Sequence, residues 1–182
     1  MTFQRCLDRH GFAVALLRRG SAVWLSGLLL AVPALGATYY VSPTGSDSGA
    51  GTVASPWTLA KANAALVAGD VAVLAPGNYG SARIAPASSG SSYSRFIAYV
   101  GSLANPASTT VGGVSFGTRS YVSVKGVRFA GDVTFTASHD SLAWCVASAG
   151  DLNGVLGGDD CVTAYSTFHG ATMGFAGGTN QA

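Results

Sequence analysis

The sequence predicts an all-β chain whose short strands stack in parallel as a β-helix. Three observations carry this expectation. Short β-prone runs alternate with Gly- and Ser-rich turns from Val71 onward. Only one segment, early in the chain, has the pattern of a helix. The C-terminal part also overlays itself when shifted by about 20 residues, the signature of a repeat architecture. Composition agrees: of 182 residues, 48% are hydrophobic, 10% are charged and 25 are Gly. That excludes a charge-rich disordered chain and a heptad coiled coil. A net charge of +2 offers no basic surface for nucleic acid.

The first element is a leader. Arg5, Arg9, Arg18 and Arg19 precede an apolar run from Ala22 to Leu35. The run is shorter than the ~20 residues that span a bilayer, and it ends in the small residues of Ala34-Leu-Gly-Ala37. Residues 1–37 read as a secretory signal, cut after Gly36 or after Ala37; a retained membrane anchor is the alternative. The expected location is secreted or periplasmic, with no membrane attachment after cleavage. The mature chain, residues 38–182, then carries six cations against seven Asp. Cys6 leaves with the leader, so Cys145 and Cys161 remain.

Tyr39-Tyr40-Val41 reads as a strand of aromatic and β-branched residues. Ser42 to Ser55 is a polar loop. Ser55-Pro56 opens the helix, with Trp57, Leu59, Ala60, Ala64 and Leu66 on one apolar face, and Gly69-Asp70 ends it. Val71 to Ala75 is a strand buried on both faces, and Pro76 to Tyr79 a turn. Arg95–Val100, Thr110–Val114, Tyr121–Phe129 and Val133–Thr136 are further strand runs. Ala85–Ser94 and Ser102–Ser108 are loops.

The repeat decides among all-β architectures. A shift of 20 residues places Phe135 on Val155 and Phe175, Asp140 on Asp160, Leu142 on Val162 and Trp144 on Ala164. Ser120 to Gly131 reads as another copy with one extra residue. A unit this short buries its inner face only against neighbouring units. A sandwich would need strands of ~5–6 residues joined by hairpins, and no hairpin turn is suitably spaced. Asn153-Gly154 reads as a corner.

The opening YYVSPTGSDSGAG…SPWTLAKANAAL…AGDVAVLAPGNY and the later DLNGVLGGDDCVTAYSTFHG resemble secreted right-handed parallel β-helix proteins. These are the pectate-lyase-like superfamily, with alginate-lyase-like and chondroitinase-B-like enzymes among them. The resemblance covers Thr38 to Ala182. It implies a right-handed single-stranded solenoid, a capping helix at its N-terminal end, and a carbohydrate-active protein. A polysaccharide lyase or hydrolase acting on acidic polysaccharide is the expected function; a non-catalytic scaffold or adhesin-like surface module is the alternative. Family members carry more coils and hold their catalytic Lys, Arg and calcium-binding acids in middle coils, whereas this chain stops in mid-coil. The expectation is therefore an incomplete N-terminal part, inactive by itself, with an open last coil that favours self-association.

Several residues are candidates for chemistry. Lys125 and Arg128 read first as a solvated face and alternatively as the charge that binds an acidic sugar; Tyr165 reads as a surface aromatic and alternatively as a ring to stack on one, with Tyr121 a further aromatic candidate. Asp140 and Asp160, one repeat apart, read first as turn caps and alternatively as calcium ligands, with His139 and Asp159 beside them. His169 reads as a surface histidine, with general base as the alternative. Strand parity sends Trp144 inward with Leu142, and sends Cys145 and Cys161 outward and too far apart to bridge.

Overall fold

The structure, a computed structural model, describes residues 36–147, 153–157, 160–168 and 172–176. It is mostly β, with parallel sheets and one α-helix. The chain opens with β1 (Thr38–Val41) and α1 (Leu59–Ala65). Strands then come in triplets. The first is β2 (Val71–Leu74), β3 (Gly77–Asn78) and β4 (Arg83–Ile84). The second is β5 (Ile97–Val100), β6 (Thr109–Val111) and β7 (Gly113–Ser115). The third is β8 (Val122–Lys125), β9 (Arg128–Phe129) and β10 (Val133–Phe135). The fourth is β11 (Ser141–Ala143), β12 (Val146–Ala147) and β13 (Asn153–Gly157). The last is β14 (Val162–Ala164), β15 (Thr167–Phe168) and β16 (Thr172–Ala176).

Each triplet contributes one strand to each of three parallel sheets. Sheet A runs β1-β2-β5-β8-β11-β14, sheet B β3-β6-β9-β12-β15, and sheet C β4-β7-β10-β13-β16. Parallel neighbours need a long connection; here the other two short strands of the cycle supply it. The apolar columns of the three sheets form one cluster. Tyr99, Val124 and Leu142 stand in register on sheet A, Val111, Phe129 and Ala147 on sheet B, and Ile84, Val114 and Val133 on sheet C. Fully burying one such side chain is worth ~1.5–3 kcal/mol.

The outer edge of β1 is satisfied locally. The Tyr40 N–H donates to Gly51 O, and the Trp57 N–H to Tyr40 O. Trp57 stacks on Tyr39 with ring centroids 4.0 Å apart, and its indole N–H donates to Gly49 O at 2.7 Å. α1 packs Leu59 and Ala62 inward. Its Asn63 ties it to the strands: Nδ2 donates to Arg83 O, and Oδ1 accepts from the Ala85 N–H and the Tyr99 hydroxyl.

Several expectations need correction. The helix starts at Leu59, because Thr58 takes the N-cap and accepts from the Lys61 N–H; Trp57 is instead bridged to Val41. Ala60 and Ala64 are exposed and Ala62 is buried instead, while Leu59 and Leu66 are buried as expected. Gly77-Asn78 pairs with Thr109-Thr110 as a strand. Asn153-Gly154 lies inside β13. The repeat is not a constant 20 residues. Ser123 pairs with Ser141, eighteen on, and Ser141 with Val162, twenty-one on, whereas Val155 pairs with Gly174, nineteen on. Variable turns absorb the difference. Val162 therefore shares the outward column of Ser141 and is exposed, and Leu142 faces Thr163.

Candidate functional site at the corners of sheet A

Among the described residues, five non-glycine residues have positive φ: Tyr121, His139, Trp144, Asp160 and Tyr165. All five flank sheet A. Tyr121, His139 and Asp160 stand just before β8, β11 and β14; Trp144 and Tyr165 follow β11 and β14. The equivalent residue after β8 is Gly126, φ +65°. Glycine adopts this conformation without cost; for a bulky residue it is an outlier. A left-handed residue also breaks strand parity. Trp144 thus turns outward and is 40% exposed, while Cys145 turns inward and is 1% exposed, the reverse of the sequence expectation for both.

At the corner between sheets A and B, the Trp144 and Tyr165 rings stack with centroids 5.0 Å apart and an interplanar angle of 11°. Tyr165 is 78% exposed. Lys125, in register with Ala143, immediately precedes Gly126, and Arg128 opens β9 in register with Thr110 and Val146. The buried Val127 lies between them. Lys125, Arg128 and Tyr165, singled out from the sequence, therefore flank the same bend in successive cycles, Lys125 and Arg128 at β8–β9 and Tyr165 at β14–β15, with Trp144 on the cycle between them. Such a bend offers aromatic surface and positive charge together. The sequence did hold a signal for Trp144: Lys-Gly-Val, Ala-Trp-Cys and Ala-Tyr-Ser occupy the same bend in successive cycles, and the glycine marks its conformation.

The opposite corner holds a second cluster. His139 stacks on Tyr121 with centroids 4.6 Å apart, and its Nε2 lies 3.5 Å from Asp160 Oδ2. Tyr93, from the Ala85–Ser94 loop, meets Tyr121 and His139 edgewise and Phe96 at a tilt of 52°. Asp159 and His169 lie outside the described residues.

Asp140 and Asp160 are not equivalent. One register column at the N-terminal end of sheet A contains Ala37, Asp70, Ile97, Val122, Asp140 and Cys161. Asp70 Oδ1 accepts from the Ala37 N–H at 2.8 Å, and Asp140 Oδ1 from the Val122 N–H at 2.9 Å. Cys161 makes the corresponding sulfur contact with the Asp140 backbone. Asp70 and Asp140 thus cap the preceding cycle, while Asp160 sits one residue outside the column beside His139. Asp70 Oδ2 accepts from the Val67 N–H, but Asp140 Oδ2 is buried with no hydrogen-bond partner. Burial pushes the Asp140 carboxyl up to about 7, against the pull of the Val122 N–H. Burial likewise pushes the Cys145 thiol up to about 11 and raises that of Cys161. Neither Cys145 nor Cys161 is in a disulfide.

Among the described residues, no three His, Cys, Asp or Glu side chains converge to hold a metal ion, and no helix is long and apolar enough to cross a membrane. A cleft of about 380 Å³ lined by Pro43, Leu59 and Tyr79 contains none of the candidate residues. No family model matches the chain, and neither a curated protein nor a solved structure matches it.

Proposed function

We propose that this is an exported carbohydrate-active protein built as a right-handed parallel β-helix with α1 at its N-terminal end, and that it binds acidic polysaccharide at the corner between sheets A and B. The architecture is supported by three parallel sheets visited in rotation, and the hand by the right-handed preference of parallel crossovers. The observation that carries the function is the display of Trp144 and Tyr165, in successive cycles, in left-handed backbone at the place that Gly126 takes in the cycle before them. Each such residue costs of order 1–3 kcal/mol, and strain of this kind persists where a site uses it. Aromatic faces stack on the C–H faces of sugar rings, and Lys125 and Arg128 supply charge for uronate carboxylates.

Affinity electrophoresis in gels containing polygalacturonate, alginate or a neutral glucan tests the reading. The protein should be retarded by a uronate polymer and not by the glucan. Trp144→Gly and Tyr165→Gly should weaken binding about tenfold or more. Tyr165→Gly should also leave stability within about 1 kcal/mol, since relieved strain offsets the little burial lost. A wild-type protein indifferent to every uronate polymer, or glycine variants that bind as wild type, would overturn the proposal. Ultraviolet detection of unsaturated uronate products in the same samples separates a lyase from a non-catalytic binding module.

A further inference from the structure

Asp70 is a buried carboxylate, 5% exposed, held by two backbone donors: the Ala37 N–H on Oδ1 at 2.8 Å and the Val67 N–H on Oδ2 at 3.0 Å. Among the described residues no cation lies within ion-pair distance of it. Arg95, the cation nearest in the fold to Gly69, directs its guanidinium to Ala68 O at 2.8 Å instead. Buried carboxylates are ordinarily paired with a positive charge, so this site lacks a counter-charge while the chain continues through residue 36.

The bond before Ala37 is also one of the two candidate cuts of the expected export signal. We propose that the Gly36–Ala37 peptide bond is the processing site, and that the α-ammonium it creates on Ala37 is the built-in cation partner of Asp70. A signal peptidase adds water across the bond. The C–N bond breaks, the hydroxyl goes to the Gly36 carbonyl carbon to leave a carboxylate, and the amine takes up a proton. One amide donor to Asp70 becomes a charged group with three, and charge-assisted hydrogen bonds are roughly twice as strong as neutral ones.

The competing cut, after Ala37, fits less well on two grounds. It would remove the donor to Asp70 together with Ala37 O, which accepts from the Val71 N–H at 2.8 Å. It would also place Leu35 where a small residue is required, whereas a cut after Gly36 uses Ala34 and Gly36. Ala37 itself is exposed immediately before β1, so a free amine there needs no rearrangement of the strand.

The inference rests on export and not on the polysaccharide site: a chain that begins at Ala37 and binds no polymer leaves it standing. The test is expression of the full-length chain in an exporting host, then intact mass and NMR titration of the terminal amine. The mature chain should begin at Ala37. Its amine should titrate at least about tenfold less acidic than the ordinary α-amino value of ~7.7–8.0, because the Asp70 carboxylate favours the charged form. Asp70→Asn should return it to that range. With the folded value raised, the stabilisation is complete below about pH 8 and is lost as pH rises through the folded value; N-acetylation of Ala37 should remove this alkaline fall. A mature chain that begins at Met1, at Thr38 or at any residue other than Ala37 overturns the inference. So does an Ala37 amine that titrates as an ordinary one.

Discussion

Replacing Asp140 with Asn should change the sign of its effect with pH. Asn retains an Oδ1 acceptor for the Val122 N–H, which Asp140 satisfies at 2.9 Å, and removes the burial of a charge whose second oxygen has no hydrogen-bond partner. The wild-type carboxyl moves from 3.8 unfolded to about 7 folded, a preference for the neutral form of about 4 kcal/mol. Because the folded value is raised, that stability is fully present below about pH 4, declines as pH rises and is lost above about pH 7. The Asn side chain does not titrate, but it leaves amide protons unsatisfied at a cost of about 1 kcal/mol. Asp140→Asn should therefore be the less stable form at pH 4 and the more stable at pH 8, by about 3 kcal/mol. At ~2–4 °C per kcal/mol for a domain of this size, that is a rise in Tm of about 6–12 °C at pH 8. Thermal melts of both proteins across this range, taken as differences so that other titrating groups cancel, provide the assay. A variant that melts below wild type at pH 8 would refute the reasoning, because it would mean that the ionised carboxylate is stabilised in the fold.

The same substitution at Asp70, in the same column, should act in the opposite direction. Both Asp70 oxygens accept backbone N–H groups, so the Asn amide would face a donor; a loss of about 2–4 kcal/mol in denaturant unfolding is expected. Trp57→Ala should cost about 3–5 kcal/mol by the same measurement, since the side chain is buried, stacks on Tyr39 and donates to Gly49. Thiol titration of denatured, unreduced mature protein should find both Cys145 and Cys161 free, and in the native protein Cys161 should react faster than the more deeply buried Cys145.

The strands of sheet A were legible because Val71–Leu74, Ile97–Val100 and Val122–Lys125 are compact apolar or alternating runs between turn residues. The parallel arrangement was legible from the repeat. The register was not. Pairing spans eighteen residues from Ser123 to Ser141 and twenty-one from Ser141 to Val162, and a uniform shift hides such changes in turn length. Nor was the conformation of Trp144 legible from alternation, because a single residue at φ +50° exchanges the faces of Trp144 and Cys145. That one inversion also explains why Lys125, Arg128 and Tyr165 were recognised while the tryptophan beside them was assigned to the core. Asp140 was recognised as a cap, but only the twenty-one-residue step to β14 separates it from Asp160, and only the registers through Val122 and Ile97 align it with Asp70.

Trp144 itself can report most directly on ligand binding. The sequence has three tryptophans: Trp24 lies in the proposed leader, Trp57 is 8% exposed and Trp144 40% exposed. In a mature Trp57→Phe protein, Trp144 is the sole indole. Titration with oligogalacturonate or oligomannuronate should shift its fluorescence saturably, and the shift should weaken with added salt as Lys125 and Arg128 are screened. A neutral oligosaccharide of equal length should leave the emission unchanged. An emission spectrum that stays fixed through the full uronate titration, in protein whose melt shows it to be folded, would contradict binding at this corner.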